Sequence, residues 1–161
     1  MLRNVTVILL IGTLLSCNPT SKMKEITEEA KISNRKFLVN DVPYIIKGIC
    51  YHPVQKGKET RSFENLSEDL ALMVEAGINT IRVYAPIIEK YVLDEIHKSG
   101  IKVIIGFGYN QGGNYDILSE TCIDYVNNFK DHPAILMWEL GNEYNYHPEW
   151  FEGTLKTWYT A

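Results

Sequence analysis

The sequence predicts an α/β fold in which parallel strands alternate with helices. Short β-rich runs such as Ile78–Tyr84 (INTIRVY) and Ile101–Phe107 (IKVIIGF) are separated by stretches with helical periodicity. Gly77 and Gly100 precede these two runs, where a helix would end. The run at 101–107 is almost continuously apolar, as expected of a strand covered on both faces. Strands joined through helices at this spacing lie parallel in one sheet.

The composition is that of an ordinary globular domain with one hydrophobic core. Of the 161 residues, 45% are hydrophobic and 22% are charged, which excludes a disordered chain. The formal net charge of -4 argues against a nucleic-acid partner, which requires a basic face. The histidines and cysteines show no zinc-ligand spacing, so neither a metal nor another cofactor is expected. Cys50 and Cys122 lie in apolar patterns and are interpreted as small core residues, not as a disulfide.

The amino-terminal residues differ from the rest and indicate export. Arg3 precedes an apolar run, Val5–Leu15, that is too short to span a bilayer and fits a signal peptide over residues 1–16. Leu14-Leu15-Ser16-Cys17 resembles the bacterial lipobox, which implies lipidation of Cys17 and anchoring to a membrane at the cell surface or in the periplasm. Residues 17–35 would be a tether. A plain secretory signal or a buried amino-terminal helix are the alternatives.

The predicted elements begin with a short β-hairpin. Two extended runs, Lys36–Val39 and Pro43–Ile46, flank an Asx turn at Asn40-Asp41. The second run continues through Tyr44–Cys50 as the first strand of the parallel sheet, which ends before Tyr51-His52-Pro53.

Three helices and three further strands follow. Ser67 is the predicted N-cap of the first helix, the third helix ends before His132-Pro133, and Ala134–Leu140 (AILMWEL) is the fourth strand. His147–Trp150 begins another helix, with proline in its first turn. The apolar stripes of the three helices are Leu66, Leu70, Met73 and Val74; Ile88, Tyr91, Val92 and Ile96; and Leu118, Cys122, Tyr125, Val126 and Phe129.

A doubly wound open sheet and a barrel both fit this alternation. The open sheet expects a glycine-rich phosphate loop after the first strand, and this sequence has none there. Polar and aromatic residues instead follow each strand, at the end where barrels build their active sites. These residues are His52, Arg82, Tyr84, Tyr109, Asn110, Asn142 and Glu143. We therefore predict that residues 36–161 form the first half of a (β/α)8 TIM barrel, with about four βα units.

The segment after the fourth strand carries the chemistry. Glu143 would stand at the barrel mouth, where an apolar pocket formed by Trp138, Tyr144 and Tyr146 could raise a carboxyl pKa toward the working pH of a general acid. The Asn142 amide suits a sugar hydroxyl. Two interpretations of Glu139 remain open. It either pairs with Arg82 inside the barrel or raises the pKa of Glu143 by like charge.

Three segments carry a resemblance to known glycosidases. HPAILMW followed by LGNE, from His132 to Glu143, resembles family 2 enzymes such as β-galactosidases, β-glucuronidases and β-mannosidases. VPYIIKGICYHP (Val42–Pro53) is similar to the first strand of that family. AGINTIRVYAP (Ala76–Pro86) resembles the second strand of families 2 and 5 and of fungal β-1,3-glucanosyltransferases. The Trp-Glu-Leu before Gly141 is also similar to family 5 mannanases.

The resemblance implies a retaining β-glycosidase acting on an oligo- or polysaccharide. Glu143 would be the acid/base, Asn142 would bind the 2-hydroxyl, and Arg82 would support the nucleophile. The nucleophile itself is expected from a seventh strand, so we expect the 161-residue chain to be a fragment or a degenerate remnant without activity of its own. A transglycosylase of the same fold and a non-catalytic carbohydrate-binding surface lipoprotein are the alternatives.

Overall fold

The computed structural model describes residues 30–107, 121–143 and 146, and its first element is a small antiparallel sheet. Its strands are β1 (Ala30–Ser33), β2 (Lys36–Val39) and β3 (Val42–Pro43), in the order β1-β2-β3. The two turns, at residues 34–35 and 40–41, have positive φ at both positions. This is the backbone of the type I′ turn, which matches the twist of the paired strands.

This sheet corrects two boundaries that the sequence suggested. β1 falls within residues 17–35, the range assigned to the tether. The turn that follows β1 was not evident from the sequence, because Arg35 is an uncommon residue at a left-handed position. The first barrel strand begins at Gly48 rather than Tyr44. The backbone before it is instead bonded to the Asn79 side chain, which accepts from Lys47 N–H and donates to the Ile45 carbonyl.

A four-stranded parallel sheet follows, as the sequence predicted. Its strands are β4 (Gly48–Cys50), β5 (Thr80–Val83), β6 (Lys102–Phe107) and β7 (Ile135–Leu140), paired in that order. Three helices cross between them, namely α1 (Leu66–Glu75), α2 (Lys90–Lys98) and α3 (Thr121–Phe129). Across the described residues, no helix is long and apolar enough to cross a membrane.

The hydrophobic core lies between the sheet and the helices. Side chains that alternate along the strands, such as Ile81 and Val83 of β5, are fully buried on the helix side. Strand geometry then places Arg82 on the opposite face of the sheet. The helices contribute Leu66, Leu70, Met73, Val92, Leu93, Ile96, Cys122 and Tyr125 to this core.

Three details of the predicted helices are wrong. α1 begins at Leu66 with Asn65 as its N-cap, so Ser67 lies inside the helix. Val74 is exposed although the apolar stripe of the first helix included it. Ile88 is exposed because it precedes α2, which begins at Lys90. Tyr91 is exposed as well, and Leu93 is the buried residue next to Val92.

Gly77 and Gly100 end α1 and α2 as predicted. Gly77 has φ 75° and Gly100 has φ 77°. After α1, Gly77 N–H donates to the Val74 carbonyl and Ile78 N–H donates to that of Met73. The same pattern recurs after α2. These two hydrogen bonds form the Schellman motif, which favours glycine at the left-handed position. The motif turns the chain directly into the next strand.

His132 links α2 to the start of β7 and makes stability depend on pH. Its Nδ1 accepts from Ala134 N–H at 3.2 Å, and its Nε2 lies 3.1 Å from an Asp94 oxygen. Burial lowers the pKa of His132 below its ordinary value, although Asp94 opposes the shift. As pH falls, His132 therefore takes up a proton at a higher pH in the unfolded chain than in the folded chain. The stability that neutral His132 gives the fold is present above pH ~6.5 and is lost as pH falls through the folded pKa.

We expect the free energy of unfolding to fall with pH below ~6.5 by at most about 1.4 kcal/mol per pH unit from this one group. Urea denaturation at a series of pH values should show a shallower dependence for His132→Gln than for the wild type. His52→Gln, which changes an exposed histidine after β4, should keep the wild-type dependence. Identical pH dependence in His132→Gln and the wild type would contradict the assignment.

Candidate active site

Arg82 is the centre of a cluster on the face of the sheet opposite the helices. Its Nε donates to Glu139 Oε2 at 2.6 Å, and its Nη2 donates to Glu139 Oε1, also at 2.6 Å. Nη2 also donates to Asn142 Oδ1 at 2.7 Å. The two bonds to Glu139 form the bidentate pair that fixes the plane of a guanidinium group.

Glu139 reaches Arg82 across β6 because the residue between them is a glycine. Gly106 pairs with Glu139 in the register of β6 and β7. A Cβ atom at Gly106 would lie 2.9 Å from the Val83 carbonyl oxygen and 3.5 Å from Glu139 Oε2. A larger side chain would therefore occupy the space through which the carboxylate crosses the strand. Sequence reasoning did not identify this role for Gly106.

The structure decides between the two interpretations of Glu139 in favour of pairing with Arg82. The Arg82 and Glu139 side chains are 23% and 29% exposed, so water competes with their bonds less than it does at a surface ion pair. Hydrogen bonding to Glu139 is the main cause that raises the pKa of Arg82 above its ordinary value. The Arg82 guanidinium therefore stays protonated at neutral pH.

Asn142 and Glu143 follow β7 in a turn of unusual backbone conformation. Gly141 has φ 89° and donates its N–H to the Phe107 carbonyl at 3.0 Å. Glu143 has φ 55°, the left-handed region that non-glycine residues occupy at an energetic cost. Its carbonyl accepts the Tyr146 N–H at 2.9 Å. Such strained residues cluster at functional sites, and the exposed Glu143 side chain stands beyond the strand end.

Cys50 and Tyr84 complete the cluster around Arg82. The guanidinium carbon lies 4.5 Å from the centre of the Tyr84 ring, and Arg82 Nη1 lies 3.8 Å from Cys50 Sγ. A hydrogen bond with Tyr84, followed by the contacts with Arg82, lowers the pKa of the Cys50 thiol, and the same bond raises the pKa of Tyr84. Cys50 is therefore exposed beside the site, which corrects its interpretation as a core residue. Cys122 is buried as predicted, and no disulfide joins these two described residues.

The structure brings some of the predicted site residues together and leaves others apart. Arg82, Tyr84 and Asn142 are in contact through the Arg82 guanidinium. His52 is exposed after β4. The remaining predicted residues, Cys17, Tyr109 and Asn110, lie outside the described residues.

Trp138 does not provide the apolar surroundings that the sequence suggested for Glu143. Its ring centre lies 5.7 Å from that of Phe107 and 6.0 Å from that of Tyr125, in the layer between sheet and helices. Tyr146 is 75% exposed, and Tyr144 lies outside the described residues. No group of three or more potential metal ligands occurs among residues 30–107, 121–143 and 146.

The family of the chain follows from a match over most of its length. Residues 30–158 match the model described as glycosyl hydrolases family 2, TIM barrel domain. The chain belongs to this family. The parallel sheet β4–β7 is thus part of a family 2 TIM barrel, and β7, which carries Asn142 and Glu143 at its end, is the fourth strand of that barrel.

Solved structures of low identity share this family 2 fold. The β-glucuronidase of Parabacteroides merdae is 20% identical, with a TM-score of 0.62 over 81% of this chain and 17% of that chain. The β-galacturonidase of Eisenbergiella tayi is 23% identical, with a TM-score of 0.58 over 71% of this chain and 22% of that chain. The β-glucuronidase of Bacteroides uniformis is 23% identical, with a TM-score of 0.56 over 72% of this chain and 15% of that chain.

A sequence match of higher identity covers less of the chain. The 1,3-beta-glucanosyltransferase gas2 of Schizosaccharomyces pombe is 36% identical over a 67-residue alignment, and the match covers 36% of this chain and 15% of that protein. This chain therefore spans under a quarter of the length of each relative described here.

Proposed function

We propose that the protein is a glycoside hydrolase that cleaves β-linked carbohydrate with retention of configuration, and that Glu143 is its acid/base. The observation that carries the proposal is the placement of Asn142 and Glu143 directly after the fourth barrel strand, with Asn142 bonded to Arg82. Barrel enzymes build their active sites at this end of the strands. Membership of family 2 supports the same chemistry.

Asn142 is oriented to bind the substrate through its amide nitrogen. Its Oδ1 accepts from Arg82 Nη2, and a guanidinium only donates, so the oxygen of the amide must be the atom facing Arg82. The Nδ2 group then faces away from Arg82 as a donor. A sugar 2-hydroxyl is the proposed acceptor, since bonds to this group that tighten in the transition state contribute several kcal/mol in glycoside hydrolysis.

Glu143 would act in both steps of the double displacement. In the first step its carboxyl proton passes to the glycosidic oxygen as the bond to the anomeric carbon breaks, and a carboxylate nucleophile bonds to that carbon. In the second step Glu143, now ionised, takes a proton from the water that displaces the nucleophile. Glu139 is not proposed as the nucleophile, because both of its oxygens are bonded to Arg82. We place the nucleophile outside the described residues.

A transglycosylase is the second candidate, and the match to a 1,3-beta-glucanosyltransferase favours considering it. The chemistry differs only in the second step, in which a sugar hydroxyl replaces water. Product analysis separates the two: a hydrolase releases free sugar from an oligosaccharide, whereas a transglycosylase forms products longer than the substrate.

The protein expressed from its complete reading frame should be assayed on a panel of aryl β-glycosides. We expect turnover of at least one member, and proton NMR should show the β-anomer as the sugar first released. First release of the α-anomer would contradict retention. Binding of oligosaccharides without turnover of any panel member would favour a carbohydrate-binding protein instead.

We further propose that Cys17 is the lipidated amino terminus of the mature protein, on the basis of Leu14-Leu15-Ser16-Cys17 after an apolar run. Cys17→Ala should move the protein from the membrane fraction to soluble or unprocessed forms, whereas Cys50→Ala should leave it in the membrane fraction. A mass spectrum of the wild-type protein showing an unmodified Cys17 peptide would contradict the proposal.

A further inference from the structure

We propose that Glu139 is a positioning residue for the glycosidase reaction, because it holds Arg82 so that Arg82 in turn orients the Asn142 amide toward the sugar. This inference rests on the proposed function and extends it to a residue that makes no assumed contact with the substrate. Its basis is the chain of three hydrogen bonds from Glu139 through Arg82 to Asn142.

The geometry makes the position of Asn142 depend on Glu139. Arg82 Nη2 carries two N–H bonds, of which one is directed to Glu139 Oε1 and the other to Asn142 Oδ1. The second Glu139 oxygen accepts from Nε, so the carboxylate fixes the plane of the guanidinium. Because the guanidinium is rigid, the direction of the N–H that meets Asn142 is then fixed as well.

The surroundings of Arg82 fit this role. The Tyr84 ring lies 4.5 Å from the guanidinium carbon and packs against its face, and the absence of a side chain at Gly106 gives Glu139 its path to Arg82. A glutamine at position 139 would present an NH2 group to one of the two Arg82 donors. That donor-to-donor contact breaks the bidentate pair and frees the guanidinium to rotate.

The test uses two substrates that differ only at the sugar 2-position. The kcat/KM values of the wild type, Glu139→Gln, Glu139→Asp and the control Glu95→Gln are measured on the best aryl β-glycoside of the panel and on its 2-deoxy analogue. Glu95 pairs with Lys98 on α2, so the control makes the same chemical change in an ion pair of another element. The protein is expressed from its complete reading frame.

We expect Glu139→Gln to lower kcat/KM on the parent glycoside by roughly 10- to 100-fold, the loss typical of a misplaced site group. On the 2-deoxy analogue the loss of kcat/KM should be under about threefold, since Asn142 has no 2-hydroxyl to bind there. The substitution of Glu139 and the removal of the 2-hydroxyl both act through Asn142, so their effects are not additive. Glu139→Asp keeps the charge but shortens the side chain. Its kcat/KM should also fall on the parent glycoside and not on the 2-deoxy analogue, by a smaller factor than in Glu139→Gln. Glu95→Gln should match the wild type on both substrates.

Each of the following outcomes would overturn the inference. Equal losses on both substrates in Glu139→Gln would show a structural role, and unchanged activity on both would show none. If Glu139→Gln does not fold, as judged by its melting temperature, the losses of kcat/KM on the two substrates are compared in Glu139→Asp instead. Equal losses on both substrates in that variant would also show a structural role. If the wild type turns over neither substrate, the proposed function fails first and this inference falls with it.

Discussion

Replacement of Glu143 by Gln is expected to slow the cleavage of alkyl β-glycosides by about 10²–10⁴-fold, the usual contribution of a general acid. The amide has no acidic proton to give, so a sugar or alkyl alkoxide must leave unprotonated. Glycosides of acidic phenols should lose far less in the glycosylation step, because a phenolate is stable without a proton. Stopped-flow measurement of phenol release separates this step from deglycosylation.

The dependence of log kcat/KM on the pKa of the leaving group provides the decisive comparison. It should be steeper for Glu143→Gln than for the wild type. Glu68→Gln, which changes an exposed carboxylate in the first turn of α1, should reproduce the wild-type dependence. Wild-type rates on alkyl glycosides in Glu143→Gln would remove Glu143 from the acid/base role.

Phe107→Ala is expected to give the largest loss of stability, about 3–5 kcal/mol, as for other buried phenylalanines truncated to alanine. Phe107 ends β6 and is 2% exposed. Its ring centre lies 5.7 Å from those of both Tyr125 on α3 and Trp138 on β7. Truncation therefore leaves a cavity where two strands and a helix meet, and the Phe107 carbonyl also anchors Gly141 next to Asn142.

Urea denaturation followed by tryptophan fluorescence measures this effect. The free energy of unfolding should fall less in Phe107→Leu than in Phe107→Ala, because leucine fills more of the volume that the phenylalanine ring occupied. Leu72→Ala changes a residue on α1 that is 60% exposed and should stay within about 0.5 kcal/mol of the wild type. A loss under about 1 kcal/mol in Phe107→Ala would contradict the central place of this ring in the core.

The order of strands and helices could be predicted because the signals are local. Gly77 and Gly100 mark helix ends whatever residues follow them. The apolar run Ile101–Phe107 is mostly buried, as expected of a strand covered on both faces. The match to family 2 confirms the barrel that this alternation and the strand-end residues predicted. By contrast, the helix start at Leu66 was missed because Asn65 and Ser67 are both good capping residues.

The hydrogen bonds within the site could not be predicted, since they depend on the register of three strands. Glu139 and Arg82 are 57 residues apart in sequence, and their contact requires the glycine at position 106 on the strand between them. Trp138 precedes Glu139 on β7, so strand alternation places its ring on the helix side against Phe107 and Tyr125 and not beside Glu143. Residue type alone did not distinguish an exposed Cys50 beside a guanidinium from a buried core thiol.

The most direct test of Glu143 as acid/base in a retaining enzyme is the product that Glu143→Ala forms from an activated aryl β-glycoside in the presence of azide. Azide occupies the space of the missing carboxylate and attacks the anomeric carbon of the glycosyl-enzyme, displacing the nucleophile without the need for a general base. We expect faster turnover with added azide and a β-glycosyl azide as the product seen by proton NMR. An α-glycosyl azide would make Glu143 the nucleophile, and the absence of any azide adduct would remove it from the reaction.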